Sequence, residues 1–482
     1  MDMLRVEGVS IVDASGGEVR LRGACVGGWM NMENFINGYP GSESGMRAAL
    51  REAIGEGKAE FFMERMADAM LGEADIRFMR DCGATVVRLP LNYRRFEDDA
   101  RPFEYLDAGF ARLDRALSWC ERHGLYAILD LHSAQGWQNS DWHCDNESRH
   151  SLFWEHPHFQ DRYIALWKEL ARRYAGRQVV AGYDIMNEPL CNAPRGRFTN
   201  IDKYPRNWPR INAVFRRAVE AIREVDADHI VFLEGDYFSN LFEGLEPPFA
   251  PNLAYSSHNY TASGFGPGAY PAKGKDGSTW DAEAQEKAFL ACEGARFARD
   301  RGVPLWVGEF GSVYNGPKKE IGDRLRALDD QIAVFERHGA HWTTWTYKDV
   351  GVMGWVSLSP GSPYLRLVAD ELEAKRLLDA DQWMGWLPDT PAKKSVRKLA
   401  VIVERTIGDE RVESSANFSY LKQAALSSYV GGLMQPAYAR LFVGRSEKEL
   451  AELADSFAFG NCVVNQGLVE VVKRRIGAEE RT

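Results

Sequence analysis

The chain has 482 residues and no run of about 18 apolar side chains, so no membrane-spanning helix is expected. It has few cysteines for its length: seven, an odd number, widely spaced and without a CxxC pair. That pattern argues against a disulfide framework and against a zinc ribbon or finger. Basic residues are in deficit, 59 against 69 acidic ones, for a net charge of −10. A nucleic-acid binder would need a basic face to neutralise phosphates. The opening stretch, MDMLRVEGVSIVDASGG, lacks a basic segment followed by an apolar one, so no secretory signal is visible. Unpaired cysteines and this opening together lead to the expectation of a cytoplasmic protein. No internal repeat, low-complexity tract or HExxH is found, and no GxGxxG follows the first predicted strand.

What is present is 45% hydrophobic and 12% aromatic residues, enough for a large core. Residues 3–22 read as a β-hairpin turning at Gly16-Gly17. From there strand-like and helix-like stretches alternate. The predicted strands are Leu21 to Trp29, ATVVRLPLN, LYAILDLHS, VVAGYDIMNE, HIVFLEGD, LAYSSHNY, PLWVGEFG and HWTTWTYKD. Helical patterns fill 58–81, 105–123, 159–175, 208–225, 280–301 and 318–338, and a loop with a helix is expected between Asn31 and Gly57. Eight strand–helix alternations imply a closed (β/α)8 barrel, with an open doubly wound sheet as the rival. Residues 1–365 are assigned to this α/β barrel domain. Residues 366–482 are assigned to a mostly helical C-terminal extension.

Active sites of such barrels lie where the strands end. The predicted ends carry Arg88, Asp130 and His132, Asn187-Glu188, Glu234, His258 and Tyr260, Glu309, and Trp345 with Lys348 and Asp349. Glu188 and Glu309 stand out, since each terminates a buried apolar run, one before Pro189 and the other between glycines. A carboxylate at the mouth of a buried strand points to acid–base chemistry. Two of them suit glycoside hydrolysis, in which one carboxyl protonates the leaving oxygen and the other attacks the sugar. Strands four and seven of an eight-stranded barrel face each other, so the ~5–5.5 Å separation of a retaining pair is attainable.

The set LRGACVGGW, VVRLPLNY, DLHS, MNEP, SSHNY, GEFG and WTTWTYKD resembles, in order, glycoside hydrolase family 5, over residues 3 to about 350. The resemblance implies Glu188 as acid/base and Glu309 as nucleophile, a retaining mechanism on β-glycosides, and no metal or cofactor. It implies that Arg88 and Tyr260 hold and orient Glu309 and that Asn187 meets the sugar 2-hydroxyl. It places His258 on the acid/base side and His132 beside the reacting sugar. Trp345 becomes the ring-stacking floor, and Trp29 lies near the sugar. The loop Gln135–His158, with Trp137, Trp142, Trp154 and four histidines, is expected to form a lid or sugar-binding wall. Lys348 and Asp349 suit either sugar hydroxyls or a surface pair. Glu309 is expected to stay ionised beside Arg88, and its charge to raise the pKa of Glu188.

Open alternatives are an endo-acting glucanase, a carbohydrate-binding protein on a glycosidase scaffold, and a metal-assisted hydrolase using the histidine-rich loop. Long loops and a cytoplasmic setting favour exo-action on a small glycoside.

Overall fold

The computed structural model describes residues 1–192, 201–260, 268–274, 276–380, 390–409, 412 and 414–477. The predicted extension therefore includes stretches, 381–389 and 478–482 among them, that lie outside the described residues. Eight parallel strands close into a barrel: β1 (Arg22–Cys25), β2 (Val86–Asn92), β3 (Tyr126–Ser133), β4 (Val180–Asp184), β5 (Ile230–Glu234), β6 (Leu253–His258), β7 (Leu305–Glu309) and β8 (His341–Thr344). Each pairs with its sequence neighbours, and β8 pairs with β1. The fold is a (β/α)8 barrel, as the alternation predicts. Among the described residues no helix is long and apolar enough to cross a membrane.

Period-two alternation decides what fills the barrel. Val86, Ile128, Ile230, Ala254 and Trp306 meet in one apolar cluster with Leu4 and Ile11 of the N-terminal segment, which plugs the floor. Two residues further along the same inward faces come Arg88, Asp130 and Ser256, and two further His132 and His258. β5 runs Ile230, Phe232, Glu234. The interior thus passes from hydrocarbon to ionisable groups along the barrel axis.

The outer helices bury one face each. In Trp208–Arg223 the buried positions Ile211, Val214, Phe215, Ala218, Val219 and Ile222 follow the helical repeat, and Pro209 starts the first turn.

Several boundaries differ from the sequence reading. The N-terminal hairpin pairs Arg5–Glu7 with Ser10–Val12 and turns at Gly8, whose φ of +60° glycine tolerates. The turn at Gly16 returns the chain only to a single bridge, Val12 to Glu18. β1 stops at Cys25, short of Trp29. The helix predicted over 58–81 is two, Glu56–Met70 and Glu73–Asp81, because Leu71 is extended and Asp75 caps a new start at Gly72. That predicted over 280–301 is also two, broken where Cys292 is extended.

The C-terminal extension wraps onto the barrel. Val356–Leu358 pairs with Lys348–Asp349 and with Cys462–Val464, so the mostly helical extension adds one strand to a small sheet formed at the end of the barrel domain. Arg65 grips Asp455 through two bonds of 2.7 and 2.9 Å. Phe62 packs on Phe442 at 4.9 Å.

Candidate active site

The loop from β4 to Pro189 carries the first carboxylate. Glu188 has a left-handed backbone, φ +47°, a conformation that costs a non-glycine residue ~1–3 kcal/mol and collects at functional sites. Neighbours over-determine it. Its N–H donates to Glu234 Oε2 at 2.7 Å, and Asn139 Nδ2 donates to its carbonyl at 3.0 Å. Gln138 Nε2 likewise holds the Asn187 carbonyl at 2.8 Å. The second carboxylate, Glu309, ends β7 after Gly308, where any Cβ would come within 2.7 Å of Ser256 Oγ. A larger residue there would press on the side chains of Ser256 and His258.

The two carboxylates meet. One oxygen of each, with a ring nitrogen of His258, lies within a 4.8 Å set. This is the range of a retaining pair rather than the ~6.5–9.5 Å of an inverting one. Among the described residues these three also form the single constellation gathered closely enough to hold a metal ion, and their atoms face one another as hydrogen-bond partners. Of the four histidines in the loop Gln135–His158 only His143 lines the cavity.

Glu309 takes a bond from Arg88 Nη1 at 2.5 Å on one oxygen and from the Tyr260 hydroxyl at 2.9 Å on the other. Arg88 is wholly buried. It also reaches Asp184 (2.7 Å), Asn187 Oδ1 (2.8 Å), Glu234 (3.1 Å) and Asp130 (3.2 Å). Burial opposes its charge, but Asp130, Asp184 and Glu309 hold its pKa well up. The excess of carboxylate is relieved by protons. Burial and the charge of Glu234 push Asp184 well above the usual carboxylate range. His132 is lifted to about 10 against its burial, chiefly by Asp130, 2.8 Å away. His258 is lifted well above 6.5, again against burial, by Glu309, Glu234 and Glu188.

Glu188 departs from the expectation of a raised pKa. Burial alone would raise it, but His258 at 2.7 Å and His143 at 3.1 Å outweigh that and hold it well below the usual range. The sequence reading placed His258 on the acid/base side but weighed only the negative neighbour in setting the pKa, and it gave His143, which arrives on a loop, no part in it.

A cavity of about 240 Å³ opens above the pair. Glu188, Glu309, His132, His258, Tyr260 and Trp345 line it, as do Asp141, from the loop expected to form a wall, and three residues that sequence reasoning gave no such place: Glu33, Phe238 and Asn240. His143 lines it too, from the loop expected to form a wall. Trp345 stacks on His132, ring centres 5.2 Å apart and planes within 4°. Glu33 stands 3.3 Å from His132 Nε2, and burial raises its pKa. Phe238 sits in a left-handed turn, Tyr237 to Ser239 having φ of 54°, 56° and 61°. Three successive left-handed non-glycine residues are the one local signal of function in this loop, and sequence does not display it.

Other candidates lie elsewhere. Asn187 and Arg88 sit beneath the cavity rather than on its wall. Trp29 is buried in the core and is not among the lining side chains. Trp137 is half-buried and also away from the lining. Asp349 is fully buried and accepts backbone N–H bonds from Gly351, Val352, Met353 and Gly354 at 2.5 to 3.0 Å, so it shapes a turn. Lys348 is buried as well, donating to the Phe457 carbonyl at 2.8 Å and pairing with Asp75 at 2.6 Å. Neither the sugar role nor the surface pair considered for these two fits that burial.

The extension holds the cavity walls. Lys375 Nζ donates to the carbonyls of Asn34 (2.9 Å) and Tyr39 (2.7 Å), and just before the extension the Tyr364 hydroxyl donates to that of Asn37 (2.7 Å), fixing the loop that bears Glu33. Gln423 Nε2 donates to Asp141 at 3.1 Å.

Comparison with known proteins places these features in context. Residues 57–351 match the cellulase family, glycosyl hydrolase family 5. A β-xylosidase of Phanerodontia chrysosporium is 37% identical over 98% of both chains. Endoglucanase C of Acetivibrio thermocellus is 27% identical over 43% of this chain and 52% of its own. Among solved structures, an endogalactoceramidase shares the fold with a TM-score of 0.52 at 20% identity, covering 72% of this chain and 75% of that one.

Proposed function

Because the chain belongs to glycosyl hydrolase family 5, we propose that it is a retaining exo-β-glycosidase that removes one terminal sugar from a small β-glycoside, β-xylosides foremost. The observation that carries the retaining reading is the approach of Glu188 and Glu309 oxygens to within 4.8 Å. In this reading Glu309, held by Arg88 and Tyr260, attacks the anomeric carbon. Glu188 delivers a proton to the leaving oxygen, drawing on the proton shared with His258 and His143. Once Glu309 is esterified by sugar, its charge is gone. Glu188 then takes a proton from the water that releases the product. Asn187 supports the 2-hydroxyl from below.

Exo-action is supported by size and by the far wall. The cavity, about 240 Å³, is smaller than the ~300–1,000 Å³ sites of drug-sized ligands and suits about one sugar ring. Trp345 offers a face to that ring, and Glu33 with His132 offers polar atoms to its distal hydroxyls. The xylosidase relative aligns through the extension as well as the barrel, whereas the endoglucanase aligns over less than half of the chain. That extension holds the Glu33 loop. Seven free cysteines suit a reducing compartment, in keeping with the cytoplasmic expectation.

The test is hydrolysis of aryl β-xyloside followed by proton NMR. The first-formed sugar should be the β-anomer. Early α-anomer would overturn retention. A higher kcat/KM on aryl β-glucoside than on the xyloside would move the substrate to hexosides and leave the mechanism standing.

A further inference from the structure

A second cavity, about 590 Å³, lies between the loop after β3 and the extension. We propose that it is a carbohydrate-binding site distinct from the catalytic one, built to hold a neutral oligosaccharide. Four features point there.

The first is unsatisfied polarity. Trp142 Nε1, Arg149 Nε and Nη1, and the hydroxyls of Ser427 and Ser428 are buried and have no hydrogen-bond partner among the described residues, and all five atoms belong to side chains lining this cavity. Buried donors left unpaired cost ~1–3 kcal/mol each, so such a cluster calls for a partner with several hydroxyls. Trp142, Arg149 and Ser427 are 2%, 5% and 0% exposed, so these donors are closed to water in this structure and would turn toward the cavity to meet a ligand.

The second is aromatic surface. Tyr420 and Tyr429 lie on the extension side, and Tyr429 is 67% exposed at the rim. Flat rings beside hydroxyl and N–H donors match a sugar, which has an apolar face and a polar edge.

The third is charge. Arg149 already faces Asp141 at 3.2 Å, and Glu147 also lines the cavity. An anion would meet that carboxylate, whereas a neutral polyol would not.

The fourth is backbone geometry. Lys422–Val430, which supplies Ser427, Ser428 and Tyr429, is a π-helix, a rare form that gathers at functional sites. The same segment reaches the catalytic cavity through Gln423, which binds both Arg149 (2.8 Å) and Asp141 (3.1 Å). A saccharide on Arg149 would therefore press on a residue that lines the catalytic pocket.

The choice of oligosaccharide as ligand rests on the glycosidase reading. The experiment is isothermal titration of full-length Glu309→Gln protein with xylotriose and, separately, with cellotriose. Two equivalents are expected for at least one of them. Tyr429→Ala in the same background should return the stoichiometry to one, and Ser427→Ala should weaken the second equivalent about tenfold, as loss of a central contact does. A single equivalent, or two that both variants leave untouched, overturns the proposal. Failure of the glycosidase reading registers separately, as absence of turnover of aryl β-glycosides by the wild-type enzyme.

Discussion

The two ends of the barrel use one backbone pattern for opposite purposes. At the floor the inward positions are Val86, Ile128, Ile230, Ala254 and Trp306, sealed by Leu4 and Ile11. At the mouth the same faces end in Arg88, Asp130, His132, Glu234 and His258, and Glu309 follows the inward position of Gly308 at the end of β7. Two histidines measure the contrast. His132, amid carboxylates, is raised to about 10. His341, at the start of β8, is lowered to about 3 by burial and by the charges of Arg20 and Arg22. Its Nδ1 accepts the Leu21 N–H at 3.1 Å, which requires a lone pair. Burial alone lowers both, and only the carboxylates around His132 reverse the direction, whereas Arg20 and Arg22 add to the lowering at His341. Packing at the floor serves stability, and polarity at the mouth serves chemistry at some expense of stability.

The sharpest test of that division is Glu309→Ala. Activity on aryl β-glycoside should fall ~10⁴-fold or more, the size seen when a member of a cooperating catalytic set is removed. The thermal midpoint should fall less than in an Arg88 variant, since Arg88 keeps Asp130, Asp184 and Glu234 as partners. Near-normal turnover would remove Glu309 from the mechanism. Arg88→Met strikes both functions. It leaves Asp130, Asp184, Glu234 and Glu309 without their cation, and breaking a buried ion set costs ~3–5 kcal/mol. Urea denaturation should show that loss together with a collapse of kcat.

The complementary change at the floor is Ile230→Ala, for which ~2–5 kcal/mol of destabilisation is expected from the cavity left behind. Its kcat per folded molecule should match wild type. A large fall in kcat at unchanged fold would mean that the two ends are not separable.

The histidines give opposite pH limbs. His132 has a folded pKa above its unfolded value of 6.5, so its stabilisation is complete below pH 6.5 and is lost as pH rises through about 10. His341 has a folded pKa below its unfolded 6.5, so stability falls as pH drops from 6.5 toward about 3, where folded protein must accept a proton it has no place for. Unfolding free energies across this range should show His132→Gln flattening the alkaline limb and His341→Asn the acid one. Crossed effects would contradict the charge argument.

The smallest expected effect concerns His143. Its removal takes away one of two imidazoles that hold Glu188 low, so the pKa of Glu188 should rise. The alkaline limb of kcat/KM, set by the acid, should then move to higher pH in His143→Ala. A limb that stays fixed or moves down would show that His143 does not act on Glu188.

The barrel and its two glutamates were legible because their signals are local. Strand alternation, a proline after Glu188 and glycines around Glu309 are properties of a few consecutive residues, governed by backbone sterics. The motifs run in chain order because the barrel itself is built in chain order. Helix breaks at Leu71 and Cys292 were not legible, since neither residue carries a strong stop signal. Trp29 and Asp349 were read as site residues from their closeness to strand ends. Their burial follows from where neighbouring loops and the extension settle.

The sequence by itself determined the number and order of strands and the carboxylates Glu188 and Glu309 near the ends of two of them. The tertiary structure alone decided that Glu33, Asp141, His143 and Phe238 share one cavity with them. It also decided that the extension holds two of those loops, through bonds between residues hundreds of positions apart, such as Lys375 to Asn34 and Gln423 to Asp141. Periodicity fixes the direction of a side chain within an element. It carries no information about which loop arrives beside it, because that depends on long-range contacts formed only when the barrel closes. The low pKa of Glu188 belongs to this second class: the residue was visible in the sequence, and the histidines that set its proton were brought to it by the fold.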